Sequence, residues 1–386
     1  ALNHEKLDQG GYLSTYTFSS WVPDAAAGMS CIATGERANN GEIGLDALGT
    51  VRETLLEKAR KAGKAVGIVS DSRITYASCA AFFAHSTNRY QESDFASSMI
   101  EFEPDLAFGG GLFNFLPKNL GGMREDGRDL IAEAQKKGYQ ILKNRMELIK
   151  CSTLSSRILG LFKESNLSYE IDRPADEPSI QLLVDKAIKL LNNKSPQGFV
   201  LVIVSDRIAQ ALRDHDVRAL VSQYEALNEA CGTLLAFTRL HPDTQFLYAS
   251  AYSTNPPFIS EKTELSWLPN IKASAEFMAA KIDTLGENVG WVMSRYAGIE
   301  NLSEAEKSLI FHDLKNEYLP MAIGEVLSRR QGIFFQPPAV QKKLDLTLGN
   351  TAVVTPFFVH GAGAEKFDFF MANYQLGSLL NSFIGD

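Results

Sequence analysis

The chain lacks any long apolar run. Its longest strand-like run, Phe199–Val204, is far short of the roughly 20 residues that a membrane-crossing helix needs, so no membrane span is expected. An excess of positive charge is also missing. With 38 Lys and Arg against 46 Asp and Glu the net charge is −8, which disfavours a nucleic-acid partner, because phosphate contacts need a clustered positive surface. Cysteine is scarce: Cys31, Cys79, Cys151 and Cys231 show no CxxC spacing, which argues against a zinc knuckle or a thioredoxin-type motif. One or two disulfides and buried free thiols both remain open. The six histidines are scattered, with no His-x-x-x-His pair, and a hydrolytic metal site needs several converging ligands. There is no Gly-x-Ser-x-Gly elbow for a serine nucleophile. Gly109–Gly111 has neither a following Lys-Ser/Thr nor the Gly-x-Gly-x-x-Gly spacing, so it reads as a tight strand-to-helix turn. Ala1–Gly11 is polar and carries no signal pattern, which leaves the compartment unread from this end.

What is present is the composition of a globular protein with a large core: 386 residues, 45% hydrophobic and 22% charged. Ala65–Val69, Asp105–Phe108, Phe199–Val204, Phe246–Tyr248 and Val353–Val359 read as strands. Between them Leu45–Lys61, Ala77–Arg89, Gly127–Lys137, Ser179–Asn192 and Asp216–Leu240 carry apolar residues at helical spacing. This alternation predicts an α/β fold, a mostly parallel sheet with helices on both faces. Val200–Val204, apolar throughout, reads as a strand covered on both sides. After the break at Asn255–Pro257 the chain is almost wholly helical through Ile271–Arg330, including the run Lys307–Glu317. That predicts a helical insertion at about 258–335, left through Gln336-Pro337-Pro338.

Chemistry in open α/β sheets gathers beyond the carboxyl ends of the strands. Here those ends are Ser70–Arg73, Gly109–Gly111, Ser205–Arg207, Ala249–Tyr252 and His360–Gly361. His85 lies in an apolar helical stretch and reads as a core histidine.

The segment Val22–Gly35, with Asn40–Asp46 after it, resembles the nucleophile segment of alkaline phosphatases. Gly67–Val69, Arg73–Ser78 and Ala84–Arg89 resemble the second block of that family. Gly109–Gly111, Asp126–Leu130, Tyr169–Arg173, Gly198-Phe199 and Gly361–Glu365 are similar to later landmarks, in family order. The resemblance covers essentially the whole chain. It implies an alkaline-phosphatase-like three-layer sandwich, a single domain over 1–386, a homodimer or related-subunit dimer, and an extracellular or secreted setting with Asn166, Asn193 and Asn301 as glycosylation sites. The family also begins with a strand that this chain does not contain, which implies a separate amino-terminal fragment.

The departures from the family pattern concern chemistry. Ala25 stands where the family has its serine nucleophile, and an alanine methyl cannot attack phosphorus. Val204, Ala209 and Arg213 replace three metal ligands; Ala251 and Tyr252 replace an aspartate and a histidine; Asn350 replaces a further histidine, and Tyr76 an Asp or His. Only Ser78 keeps a related group. No metal cofactor is expected on this reading. The implied protein is a catalytically inactive homologue used for binding or structure. Its vacated cleft of Ala25, Tyr76, Arg89, Val204, Ala209, Arg213, Ala251, Tyr252 and Asn350 would hold an apolar or pigment-like small molecule there or at a subunit interface. Alternatively the cleft is collapsed. The enzymatic alternative is a hydrolase rebuilt around Asp71, Asp206 and Arg89. Arg89 could grip an anion bidentately or form a structural ion pair with Asp24 or another carboxylate, and the two Val-Ser-Asp carboxylates could be catalytic or cap the next turn.

Overall fold

A computed structural model describes residues 2–152, 157–285, 289–312, 318–336 and 350–385. The strands are β1 (Gln9–Ser14), β2 (Ala65–Arg73), β3 (Leu106–Gly110), β4 (Tyr139–Leu142), β5 (Arg157–Leu161), β6 (Phe199–Val204), β7 (Gln245–Ala249), β8 (Ser253–Thr254), β9 (Phe258–Ile259), β10 (Ile333–Phe334), β11 (Asn350–Thr351), β12 (Thr355–Gly361) and β13 (Phe370–Ala372). The helices that matter below are α1 (Ala25–Thr34), α2 (Leu55–Lys61), α3 (Ala77–Ala80), α4 (Ile180–Leu191), α5 (Asp206–Arg213), α6 (Val217–Leu240) and the later group α7 (Ala275–Leu285), α8 (Val289–Ala297), α9 (Glu304–His312) and α10 (Leu319–Arg330).

The central sheet is all parallel, in the order β4-β5-β3-β2-β6. Its middle strands β2 and β3 are buried almost throughout, as helices on both faces require. α4 shows why the flanking segments are helices: Ser179 caps its amino end through the Leu182 N–H. Its buried Ile180, Leu183, Val184, Ala187, Ile188 and Leu191 recur at three- and four-residue spacing, which lays one face on the sheet. Helices α7–α10 pack around a separate apolar core that includes Met278, Val292, Ile310, Ile323 and Phe335. The stretch expected to be helical does form helices over much of 275–330. Within it, 313–317 of the expected helix and Pro337-Pro338 of the exit loop lie outside the described residues.

Three local expectations are corrected. Leu45–Lys61 is helical only from Leu55. Asp46 accepts the N–H groups of Leu48 and Thr50, Gly49 adopts φ 75°, and Thr54 forms a reciprocal cap with Glu57 that starts the helix late. Ala77–Arg89 is helical only to Ala80, because Ile43 and Ser86 exchange both backbone hydrogen bonds, at 2.8 and 2.9 Å, and pull the chain straight. The predicted strands near Phe246 and Val353 do not extend the parallel sheet. As β7 and β12 they pair antiparallel in a second sheet, ordered β13-β1-β12-β7.

Candidate functional site

β2 and β6 pair as far as Ser70 and Val204, and the polar residues that follow these two positions, the last of β2 and the first beyond β6, come to one place. Both strand ends read Val-Ser-Asp, yet the two carboxylates have different surroundings. Asp71 accepts from the Ser205 hydroxyl, from the Arg207 N–H at 3.2 Å and from the Gln223 side-chain amide at 2.8 Å. Burial pushes its carboxyl up to about 6. Asp206, the first residue of α5, accepts from the Ser78 hydroxyl and from Ser72 Oγ at 3.3 Å, both on one oxygen. Burial raises its carboxyl too, while those hydroxyls and the guanidinium groups of Arg213 and Arg89 pull it back.

Arg89 is buried, and its Nη1 lies 2.8 Å from Asp24 Oδ2. Asp24 is itself fixed as the cap of α1, accepting the Ala27 and Gly41 N–H groups. The expected structural ion pair is therefore present. The guanidinium also lies between two rings, 6.0 Å from the centre of Tyr76 and 5.7 Å from that of Tyr90. Arg213, on the last turn of α5, interacts with Tyr252, Tyr76 and Asp206. The buried Tyr252 hydroxyl faces Arg213 without completing a hydrogen bond. Gly28 lets α1 meet the chain after β7, since a Cβ there would stand 2.6 Å from the Ala251 carbonyl.

Of the expected cleft residues, Ala25, Val204 and Ala251 are buried, and Val204 and Ala251 belong to the main apolar core. Ala209 is partly exposed on α5. Asn350 pairs with Thr254 in the β8–β11 ladder and donates to the Pro23 carbonyl at 2.9 Å, its Oδ1 left without a partner. The polar groups that interact at the strand ends are therefore those of Tyr76, Arg89, Asp206, Arg213 and Tyr252. The expected pocket for an apolar or pigment-like molecule is corrected accordingly: its methyl groups are packed into the core, and the groups left facing one another are charged or phenolic. A surface depression of about 470 Å³ is lined by Arg145, Arg173 and Ser179 among others and by none of these residues.

The family's metals do not fit this donor set. Among the described residues no three His, Cys, Asp or Glu side chains gather, and the positive charge of Arg213 and Arg89 acts on the buried carboxylate of Asp206. Ser72 and Gln223 were missed by sequence reasoning. Ser72 sits in a strand end that had been singled out, but Gln223 lies 152 residues from its partner Asp71, and no local pattern reports that. His85 hydrogen-bonds the Gly44 carbonyl and Glu57, away from the cluster.

The family model of alkaline phosphatase matches residues 1–288. The chain belongs to the alkaline phosphatase family. It is 28% identical to alkaline phosphatase 3 of Bacillus subtilis over 366 residues, covering 90% of this chain and 73% of that relative. It is 32% identical to the alkaline phosphatase of Schizosaccharomyces pombe over 299 residues, covering 72% of this chain and 56% of the yeast protein. The fold matches the cold-active alkaline phosphatase of Shewanella sp. with a TM-score of 0.85 at 22% identity, over 100% of this chain and 92% of that one. It matches Thermus thermophilus alkaline phosphatase with a TM-score of 0.86 at 24% identity, over 98% and 84%.

These findings overturn the expectation of a catalytically inactive binding or structural protein. A family and a set of relatives named as phosphatases point to a phosphatase hydrolase. Ala25 removes a covalent route through that position; it does not remove attack by water. The Asn166 side chain hydrogen-bonds Arg73 at 3.0 Å and Gln210 at 3.1 Å. Asn193 and Asn301 are exposed. All four cysteines are free and buried, which closes the disulfide alternative. No helix among the described residues is long and apolar enough to cross a membrane.

Proposed function

We propose that the chain hydrolyses phosphate monoesters by direct attack of water, at the cluster formed by Arg89, Arg213, Asp206 and Ser78. The observation that carries this reading is one buried carboxylate, Asp206, held by the hydroxyls of Ser78 and Ser72 beside the carboxyl ends of β2 and β6 and under the charge of Arg213 and Arg89, in a chain of the alkaline phosphatase family. Arg89 and Arg213 hold the phosphoryl oxygens and offset charge as it develops. Asp206, raised by burial and held by two serine hydroxyls, takes the proton of the attacking water. The water oxygen bonds to phosphorus as the ester P–O bond breaks, and the alcohol leaves with a proton from solvent. No step is assigned to a metal.

The test is turnover of p-nitrophenyl phosphate in chelator, and again with added zinc and magnesium. Turnover that persists in chelator and is lost in Arg89→Ala and Arg213→Ala is the expected result. No turnover above the buffer rate under any of these conditions overturns the reading.

A further inference from the structure

The two rings beside Arg89 differ in what they face. The inner ring is Tyr76, which is partly exposed and interacts with Arg213, as Asp206 does. The outer ring is Tyr90. Its centre is 5.7 Å from the guanidinium carbon of Arg89, and the residue is 74% exposed whereas Arg89 is 7% exposed. Next to a buried guanidinium, the chain thus presents a bare phenol ring to solvent.

The backbone holds this ring in place. Arg89 donates its N–H to the Gly41 carbonyl at 2.9 Å, and the Tyr90 N–H goes to Asn88 Oδ1 at 3.0 Å. Asn88 is fixed in turn through its own N–H to Ser86 Oγ at 3.0 Å, and the helix Glu92–Phe102 starts two residues after Tyr90. A tyrosine side chain has only two side-chain torsions, so on such a support it offers contact area at a low cost in ordering. Core packing does not account for it, since Tyr90 belongs to none of the apolar clusters of the described residues.

In displacement at phosphorus the entering and leaving oxygens lie roughly in line. Asp206, which takes the proton of the entering water in the hydrolytic reading, is buried, as is the Ser78 that holds it. The leaving group therefore departs on the solvent side, where Tyr90 stands.

We propose that Tyr90 is the leaving-group platform of this site and that the substrates it selects are aryl phosphate monoesters, in which an aromatic ring is joined directly to the ester oxygen. This rests on the reading of Arg89 as the grip on the phosphoryl group. The class follows from the position and nature of the ring. Tyr90 adjoins the guanidinium, so it meets a group bonded directly to the ester oxygen; a nucleotide carries its base beyond a ribose, and an alkyl ester has no π-face to stack. The net charge of −8 also sets a field against polyanionic substrates and leaves small esters favoured. Offset stacking on one exposed ring gives a preference of about tenfold, equal to about 1.4 kcal/mol.

The test reads binding with no substrate present. Benzylphosphonate and propylphosphonate, which resist hydrolysis, are titrated onto the full chain by calorimetry. Benzylphosphonate should bind about tenfold more tightly, with the preference falling below about threefold in Tyr90→Ala and kept in Tyr90→Phe. Propylphosphonate should bind all three chains equally, and Arg89→Ala should weaken both ligands by about tenfold or more. A peptide carrying phosphonomethyl-phenylalanine identifies where the aryl group comes from. Tighter binding than benzylphosphonate assigns it to phosphotyrosyl chains, and equal or weaker binding assigns it to free aryl esters; the aryl preference is upheld by both. Equal affinity for the two phosphonates, a preference that survives Tyr90→Ala, or no binding of either ligand at millimolar concentration each overturns the proposal. With turnover of p-nitrophenyl phosphate intact, such a failure leaves the hydrolytic reading standing; with turnover absent as well, both fall.

Discussion

β2 and β6 are neighbours with the same direction, the same Val-Ser-Asp ending and nearly the same apolar content, and the structure treats them differently. β2 has a strand on each side, and eight of its nine residues are buried. β6 has a strand on one side and is partly open. The carboxylates that follow differ in the same way. Asp71 accepts from three uncharged donors, while Asp206 stands within the influence of two guanidinium groups. One sequence motif thus gives a structural carboxylate at one strand end and a candidate catalytic one at the next, and what separates them is which elements pack beside each strand.

The sharpest way to break this comparison is to neutralise each carboxylate. Asp206→Asn should lower p-nitrophenyl phosphate turnover by about 100-fold or more, the usual scale for removing a general base. Asp71→Asn should change turnover less than about tenfold and instead cost about 1–3 kcal/mol in urea denaturation, because it disturbs a buried hydrogen-bond set. Equal losses of activity from the two would remove the distinction.

Truncating the strands tests packing. Ile68→Ala in β2, at 1% exposure, should cost about 2–5 kcal/mol by cavity formation. Val202→Ala in β6, which is partly exposed, should cost about 1 kcal/mol, and the same urea midpoints report both.

A third measurement is the pH dependence of stability. Asp71 and Asp216 are pushed up to about 6 and Asp214 to about 7, chiefly by burial, from an ordinary value of 3.8. In this window the folded chain binds more protons than the unfolded one, so these groups lower stability as pH rises from about 4 to about 7. The loss is complete above the folded values. Asp71→Asn should flatten the slope between about 4 and 6, and an unchanged slope would mean that Asp71 does not titrate in that range.

The smallest effect concerns the thiols. Burial raises Cys31 to about 11 and Cys231 to about 12, so neither should react with a disulfide reagent at neutral pH until denaturant is added.

Local signals carried a definite part of this protein. Phe199–Val204 could be bounded to the residue because six apolar side chains in a row admit few alternatives. Ser179 and Asp216 marked helix starts because a cap acts on the N–H groups that follow it at once. The ordered blocks around Asp24, Arg73 and Gly361 indicated the family, and the family model bears that out. The same blocks misled about function. They show which side chains have been lost at familiar positions, such as the serine at 25, and say nothing of what now faces the space. That Ala251 and Val204 would enter the core while Arg89, Arg213 and Asp206 remained to face one another depends on packing between segments more than a hundred residues apart.

The amino-acid order thus determined the helices and strands with strong periodicity or capping, the absence of a membrane-crossing run and the identity of the family, since each of these is written in neighbouring residues. Only the tertiary structure decided that β7 and β12 run antiparallel in a second sheet, that Asp24 holds Arg89 and that Gln223 donates to Asp71. Those outcomes are set by which distant surfaces meet, and hydrogen bonds and apolar contacts between remote segments leave no mark in the local pattern of either partner.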